Sequence, residues 1–189
     1  RGLWVTKRTG EFGAKKKYAL ITEDGKLKIR GFETVRRDWC NLARRVQNEV
    51  LLRILREGNE KSALAYVRKV IKDLKERKIK KEDIIIRTQL KMPLSEYKAI
   101  TPHVIAARKM EKRGMPVNVG MLVQYFVAES KSNKKLVREK VKLPDEEADY
   151  DINYYLEHQI IPAVENIFEI FGIAKEELLG KTQKKLGEF

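Results

Sequence analysis

Two periods alternate along the chain. Residues 2–6 (GLWVT) are apolar and β-branched, and the RTGEFGA that follows carries two glycines suited to a turn. YALIT (18–22) and KLKIRGFETV (26–35) flank Asp24-Gly25. That dipeptide between two strand-like runs is a hairpin signal, because glycine takes a positive φ without a Cβ clash. Residues 2–35 therefore read as a small antiparallel β unit. It has too few strands to be stable alone and needs a partner surface.

From Asp38 the period changes to that of a helix. Trp39, Leu42, Ala43, Val46, Val50 and Ile54 fall on one stripe, with Asp38 as the expected N-cap and Gly58 as the stop. A second helix is expected from about Glu60 to Arg77, capped by Asn59, with Ala63, Val67, Val70, Ile71 and Leu74 inward and a Lys/Arg-rich face outward. A short strand is expected around Ile84–Ile86. Thr101-Pro102 opens a helix that ends at Gly114. Residues 119–128 (VGMLVQYFVA) read as a buried strand, and 129–142 as a basic loop or hairpin. The acidic run 145–151 precedes a long helix, roughly Ile152–Phe171. Its stripe is Ile152, Tyr155, Leu156, Gln159, Ala163, Ile167 and Ile170, with a kink expected at Pro162 and closure at Gly172. A helical turn at Lys175–Leu179 precedes the tail GKTQKKLGEF. The fold class is α+β: a short antiparallel β unit, then a mainly helical region with a small β tip.

Composition narrows the function. The 189 residues include 41 Lys+Arg and 27 Asp+Glu, a formal charge of +14. Such an excess favours a polyanionic partner, nucleic acid foremost, without separating DNA, RNA and acidic membranes. With 42% hydrophobic residues the chain can build a core. No stretch approaches the ~18 consecutive apolar residues of a membrane-spanning helix. One cysteine, Cys40, excludes an intramolecular disulfide and a cysteine-cluster zinc site. The chain opens on Arg1, without a signal-peptide pattern, inside a strand-like run, and so reads as a piece of a longer product.

Catalytic signals are sparse. His103 and His158 lie on different expected helices without ligand spacing. No phosphate-cradling G-x-x-x-x-G-K-[ST] loop occurs. The acidic run Asp145, Glu146, Glu147, Asp149 and Asp151 reads as a solvated helix start. Cys40 reads as a packed residue. Binding is better represented. Lys15, Lys16, Lys17 and Tyr18 at the mouth of a strand can hold backbone phosphates and bring a flat polar ring near a sugar or base edge. Arg36 and Arg37, before Asp38 and Trp39, suit either a phosphate contact or an ion-pair network bracing the helix start.

Several stretches carry a resemblance: G-L-W-V-T (2–6), K-K-K-Y (15–18), R-G-F-E-T-V-R-R-D-W (30–39), Y-K-A-I-T-P-H-V (97–104), S-N-K (132–134) and Y-Y-L-E-H-Q-I-I-P-A (154–163). In this order and separation they resemble the C-terminal part of an archaeal family B DNA polymerase. The resemblance implies that residues 1–37 are the last strands of the palm. Residues 38–180 would be the thumb, which grips newly made duplex, and 181–189 a tail. It implies that Lys16 and Tyr18 contact the primer strand in the minor groove, with Lys15 beside them. Arg36, Arg37 and Asp38 match the palm–thumb junction, and Tyr97, Lys98 and His103 the segment that follows the duplex backbone. The RTGEFGA turn is longer than the commoner family spacing, so Lys7, Arg8 and Lys15 match less closely than Lys16 and Tyr18.

The palm aspartates, the fingers helix and the exonuclease acids of that family have no counterparts in this sequence, so a two-metal phosphoryl transfer is not assembled from this chain alone. The resemblance implies a larger partner chain that carries them and binds Mg²⁺ in its active site, with primer–template duplex as the shared ligand. It also implies a cytoplasmic, nucleoid-associated archaeal setting and no membrane. The chain would be either the smaller polypeptide of a two-chain polymerase or a domain cut from a one-chain enzyme. Gln183, Leu186 and Phe189 have the Q-x-x-[hydrophobic]-x-x-[aromatic] spacing of a motif that binds the sliding clamp (PCNA), without its usual second aromatic. The alternative function is a stand-alone basic nucleic-acid-binding module with no catalytic partner.

Overall fold

The computed structural model describes residues 2–5, 17–32, 38–130 and 136–180. Lys15, Lys16, Arg36, Arg37, residues 132–134 and the 181–189 tail, singled out above, lie outside the described residues. The architecture is α+β, with two three-stranded antiparallel sheets and a set of helices. The chain divides into two compact units. The first is drawn from Arg1–Val35, Ala43–Lys78 and Leu156–Phe189, the second from Arg36–Leu42 and Ile79–Tyr155.

In the first unit, β1 (Gly2–Val5), β2 (Lys17–Ile21) and β3 (Leu27–Arg30) form a sheet in the order β1-β2-β3. The β2–β3 turn falls on Asp24-Gly25 as its sequence requires, with Gly25 at φ 78°. Helices α1 (Asn41–Glu57) and α2 (Lys61–Lys75) follow. All five residues expected on the inner face of α2 are buried, because their 3.6-residue spacing leaves no other face apolar. Asn59 Oδ1 accepts the Lys61 N–H at 3.0 Å, and Gly58 closes α1 at φ 74°. Gln47, fully buried, donates to the Ala163 carbonyl at 2.6 Å.

Asp38 is not the cap expected of it. Helix α1 begins three residues later, after a turn at Asp38–Trp39 and the fully buried Cys40.

The long C-terminal helix also departs from a simple kink. It runs as α5 (Ile152–Tyr155), a π-turn at Leu156–Ile160, α6 (Ile161–Phe168) and a 3₁₀ turn at Glu169–Phe171. Pro162 has no N–H to donate to the preceding turn, and its ring crowds that turn's carbonyl. Widening the turn just before the proline relieves both. Beyond it the inward stripe keeps Ala163 and Ile167 and broadens. Val164 and Phe168 are buried, while Ile170, expected inside, is 46% exposed. Gly172 ends the helix at φ 74°, and the expected helical turn is α7 (Lys175–Leu178). The Arg68 guanidinium holds α7 to α2 through the Glu177 carbonyl at 2.9 Å.

In the second unit the expected strand at Ile84–Ile86 is replaced by a helical turn, α3 (Lys81–Ile84), followed by β4 (Ile86–Gln89). A buried apolar run does not by itself distinguish helix from strand. Here Glu82 and Asp83 favour the positive end of a helical turn. The sheet continues with β5 (Leu122–Val127) and β6 (Val141–Lys142) in the order β4-β5-β6, and α4 (Pro102–Lys112) buries Val104, Ala106 and Ala107. Tyr155 is fully buried in this unit. Its hydroxyl donates to the Ile84 carbonyl at 2.8 Å and accepts the Val127 N–H at 3.1 Å.

Candidate nucleic-acid interface

The β2–β3 hairpin presents Tyr18. Its register is fixed by the turn: Thr22 N–H donates to the Lys26 carbonyl at 3.0 Å, and Gly25 N–H to the Thr22 carbonyl at 2.9 Å. The Thr22 hydroxyl also bonds the Asp24 carboxylate, which pairs with Lys26 at 2.9 Å. In this register Tyr18 faces Arg30, Ala19 faces Ile29 and Leu20 faces Lys28. Residues directly opposite share a face, and successive residues along a strand lie on opposite faces. Ala19 is buried at 1% exposure, so its face is the inner one. Tyr18 (half-buried), Lys28 and Arg30 (both exposed) occupy the other. Lys28 and Arg30 were not among the residues singled out from sequence, although the alternation in Leu27-Lys28-Ile29-Arg30 carried the signal.

A second group gathers before α4. The Tyr97 and His103 rings meet edge-on with centroids 5.6 Å apart. The Tyr97 hydroxyl accepts the Lys91 backbone N–H at 2.8 Å, bracing the segment between them. His103 Nδ1 lies 3.1 Å from the Thr101 hydroxyl. Burial, aided by the nearby Lys91 charge, pushes the His103 imidazole below its ordinary value. The ring is therefore neutral near pH 7, a hydrogen-bonding group and not a fixed cation. Lys98 is exposed beside them. Three sequence-selected residues thus lie in one short segment, and Lys91 joins them.

The acidic run is solvated at Asp145, Glu147 and Asp149, but Glu146 is half-buried among cations. Glu146 lies within 3.3 Å of Lys109, 3.6 Å of Arg113 and 3.5 Å of Lys142, and its carboxylate accepts the Leu143 N–H at 2.6 Å. Asp145 pairs with Arg113 at 2.7 Å. Burial opposes ionisation of Glu146, but these donors and cations outweigh it and hold the carboxyl below its usual range. The cause is the basic last turn of α4, which carries Lys109 and Lys112. Only Asp151 acts as the expected helix start. Its carboxylate accepts the Tyr154 N–H at 3.0 Å and pairs with Lys140 at 2.9 Å. Among the described residues no group of three or more His, Cys, Asp and Glu side chains is arranged to hold a metal ion. No helix among them is long and apolar enough to cross a membrane.

The outer face of α2 carries Lys61, Arg68, Lys69, Lys72 and Lys75, all exposed. These side chains spread positive charge along one face, which suits contact with phosphates.

Comparison with known proteins agrees with this chemistry. The family model described as DNA polymerase family B matches residues 12–171. The DNA polymerase of Methanocaldococcus jannaschii is 44% identical over 173 residues, which are 90% of this chain and 10% of that protein. The DNA polymerase of Pyrococcus horikoshii is 39% identical over 180 residues, 94% of this chain and 14% of that protein. A solved structure of the family B DNA polymerase from Pyrobaculum calidifontis superposes with a TM-score of 0.69 at 36% identity, covering 86% of this chain and 21% of that one. The chain thus spans a small part of the length of the curated relatives it matches. With a match over most of its length and these identities, the chain belongs to DNA polymerase family B.

Proposed function

We propose that this chain is the duplex-gripping component of a DNA-directed DNA polymerase. It would work with a larger polypeptide that carries the catalytic aspartates, their Mg²⁺, the fingers and the exonuclease. Residues 1–37 are read as the palm edge, 38–180 as the thumb and 181–189 as a clamp-binding tail. The observation that carries the gripping role is the family match over residues 12–171 together with the exposed basic faces on β3 and α2. We further read it as the smaller polypeptide of a polymerase split within the palm.

The physical logic is consistent. In the β1-β2-β3 sheet, β1 and β3 are the outer strands among the described residues, and sheet edges recruit further strands. A polymerase must move along any sequence, so phosphate contacts from lysines and arginines suit it better than base readout. Their affinity falls steeply with salt.

Within this reading Lys15, Lys16 and Tyr18 meet the primer strand, Arg36 and Arg37 brace the palm–thumb junction, and Tyr97, Lys98 and His103 follow the duplex backbone. The test is Tyr18→Ala in the assembled enzyme. Primer extension should fall by a larger factor than duplex affinity, because the ring acts near the primer terminus while most binding comes from phosphates. Equal losses in both assays would contradict the assignment.

A further inference from the structure

The hairpin register does more than expose Tyr18. A one-residue slip would carry Lys28 and Arg30 to the inner face beside Ala19. The five-residue turn from Thr22 to Lys26, held by its backbone hydrogen bonds and by the Thr22 hydroxyl, prevents that slip. Arg30 therefore stands directly across from Tyr18, and Lys28 stands two residues along the same strand. Two residues of β-strand span about 6.7 Å. That separates the two cations enough for each to meet its own phosphate on a strand that carries one charge per ~3.4 Å of axis.

We propose that Arg30 and Lys28, together with Tyr18, form one continuous DNA-contacting face in which the two cations hold neighbouring phosphates of the strand that Tyr18 touches. This rests on the reading of Tyr18 as a primer-strand contact. It adds two residues to that reading and assigns them a different task. Tyr18 supplies a flat polar group near the groove, and Arg30 and Lys28 supply the charge that fixes the register of the backbone past it. The inner face of the hairpin, with Ala19 buried at 1% exposure, holds this outer face in place.

The experiment measures binding of the full chain to a fluorescent primer–template duplex by anisotropy over a range of salt concentrations. It compares wild type with Lys28→Gln/Arg30→Gln, Arg30→Lys and a charge-matched control, Lys26→Gln/Lys175→Gln. Each phosphate contact contributes about 0.9 to the slope of log affinity against log salt, so the first variant should lower the slope by about 1.8. Arg30→Lys should keep it near the wild-type value. The control should change it much less, because Lys26 is paired with Asp24 and Lys175 lies on α7. Far-UV circular dichroism confirms that each variant is folded, and both replaced side chains are exposed.

An unchanged slope in the double variant, a fall of only about 0.9, or an equal fall in the control would each overturn the inference. The Tyr18 reading is judged separately, by extension relative to affinity. It can therefore fail while the salt slope is lost as expected, and in that case the two cations contact DNA without the shared face. A wild-type chain with no affinity for duplex at low salt would overturn the underlying function itself.

Discussion

Removing one oxygen from Tyr155 tests how the second unit is held together. The Tyr155 ring is fully buried, and Tyr150 and Tyr154 pack edge-on against it with centroids 6.1 and 5.2 Å away. Tyr155→Phe keeps that packing. It removes the hydroxyl that links α3 to β5, leaving the Ile84 carbonyl and the Val127 N–H without that partner. An orphaned buried polar group costs about 1–3 kcal/mol, and the two share one site, so the expected loss is about 2–4 kcal/mol. With a urea dependence of about 2 kcal/mol/M, the unfolding midpoint should fall by roughly 1–2 M with an unchanged slope. Amide exchange at Val127 should accelerate more than exchange in α2, which lies in the other unit. The same burial raises the Tyr155 phenol well above its ordinary value, so the loss should not depend on pH across the neutral range. A midpoint shift below about 0.2 M would refute the claim that this hydroxyl bridges the two elements.

Two further outcomes test an ion-pair cluster and the C-terminal tail. Glu146 has a folded-state pKa below its unfolded value of 4.5, so its stabilisation is present above that value and is lost as pH falls through the folded pKa. Glu146→Gln should lower the thermal midpoint at neutral pH, and the gap to wild type should close in acid; a gap constant into strong acid would contradict the ion-pair account. Deleting residues 183–189 should abolish binding to the sliding clamp in a pull-down or interferometry assay while leaving duplex affinity nearly intact, and unchanged clamp binding would reject the role of Gln183, Leu186 and Phe189.

Much of the fold was legible because its periods are clean. The α2 stripe, the Asp24-Gly25 turn and the glycine stops at 58, 114 and 172 each follow from one local rule, and each stands where that rule places it. What escaped depended on contacts distant in sequence. The charged Lys81–Ile84 segment takes a helical turn, which leaves only Ile86 of the expected strand in β4. The helix ends in a 3₁₀ turn that leaves Ile170 facing out, an effect that a uniform 3.6-residue count misses. Glu146 met Lys109, which is 37 residues away. Gln47 reached Ala163 across 116 residues.

For the site, residue type marked Tyr18, Tyr97 and His103. Pairing register was needed to add Arg30 and Lys28, and the buried Tyr155 and Gln159 show that part of the Y-Y-L-E-H-Q stretch serves the core.

Primer extension, run with this chain alone, with its proposed larger partner alone and with the two mixed, bears most directly on whether gripping and chemistry reside in separate polypeptides. The expected result is no extension by this chain, weak or no extension by the partner, and strong salt-sensitive extension by the mixture. Extension by this chain alone, or a mixture no more active than the larger polypeptide, would contradict that division of labour.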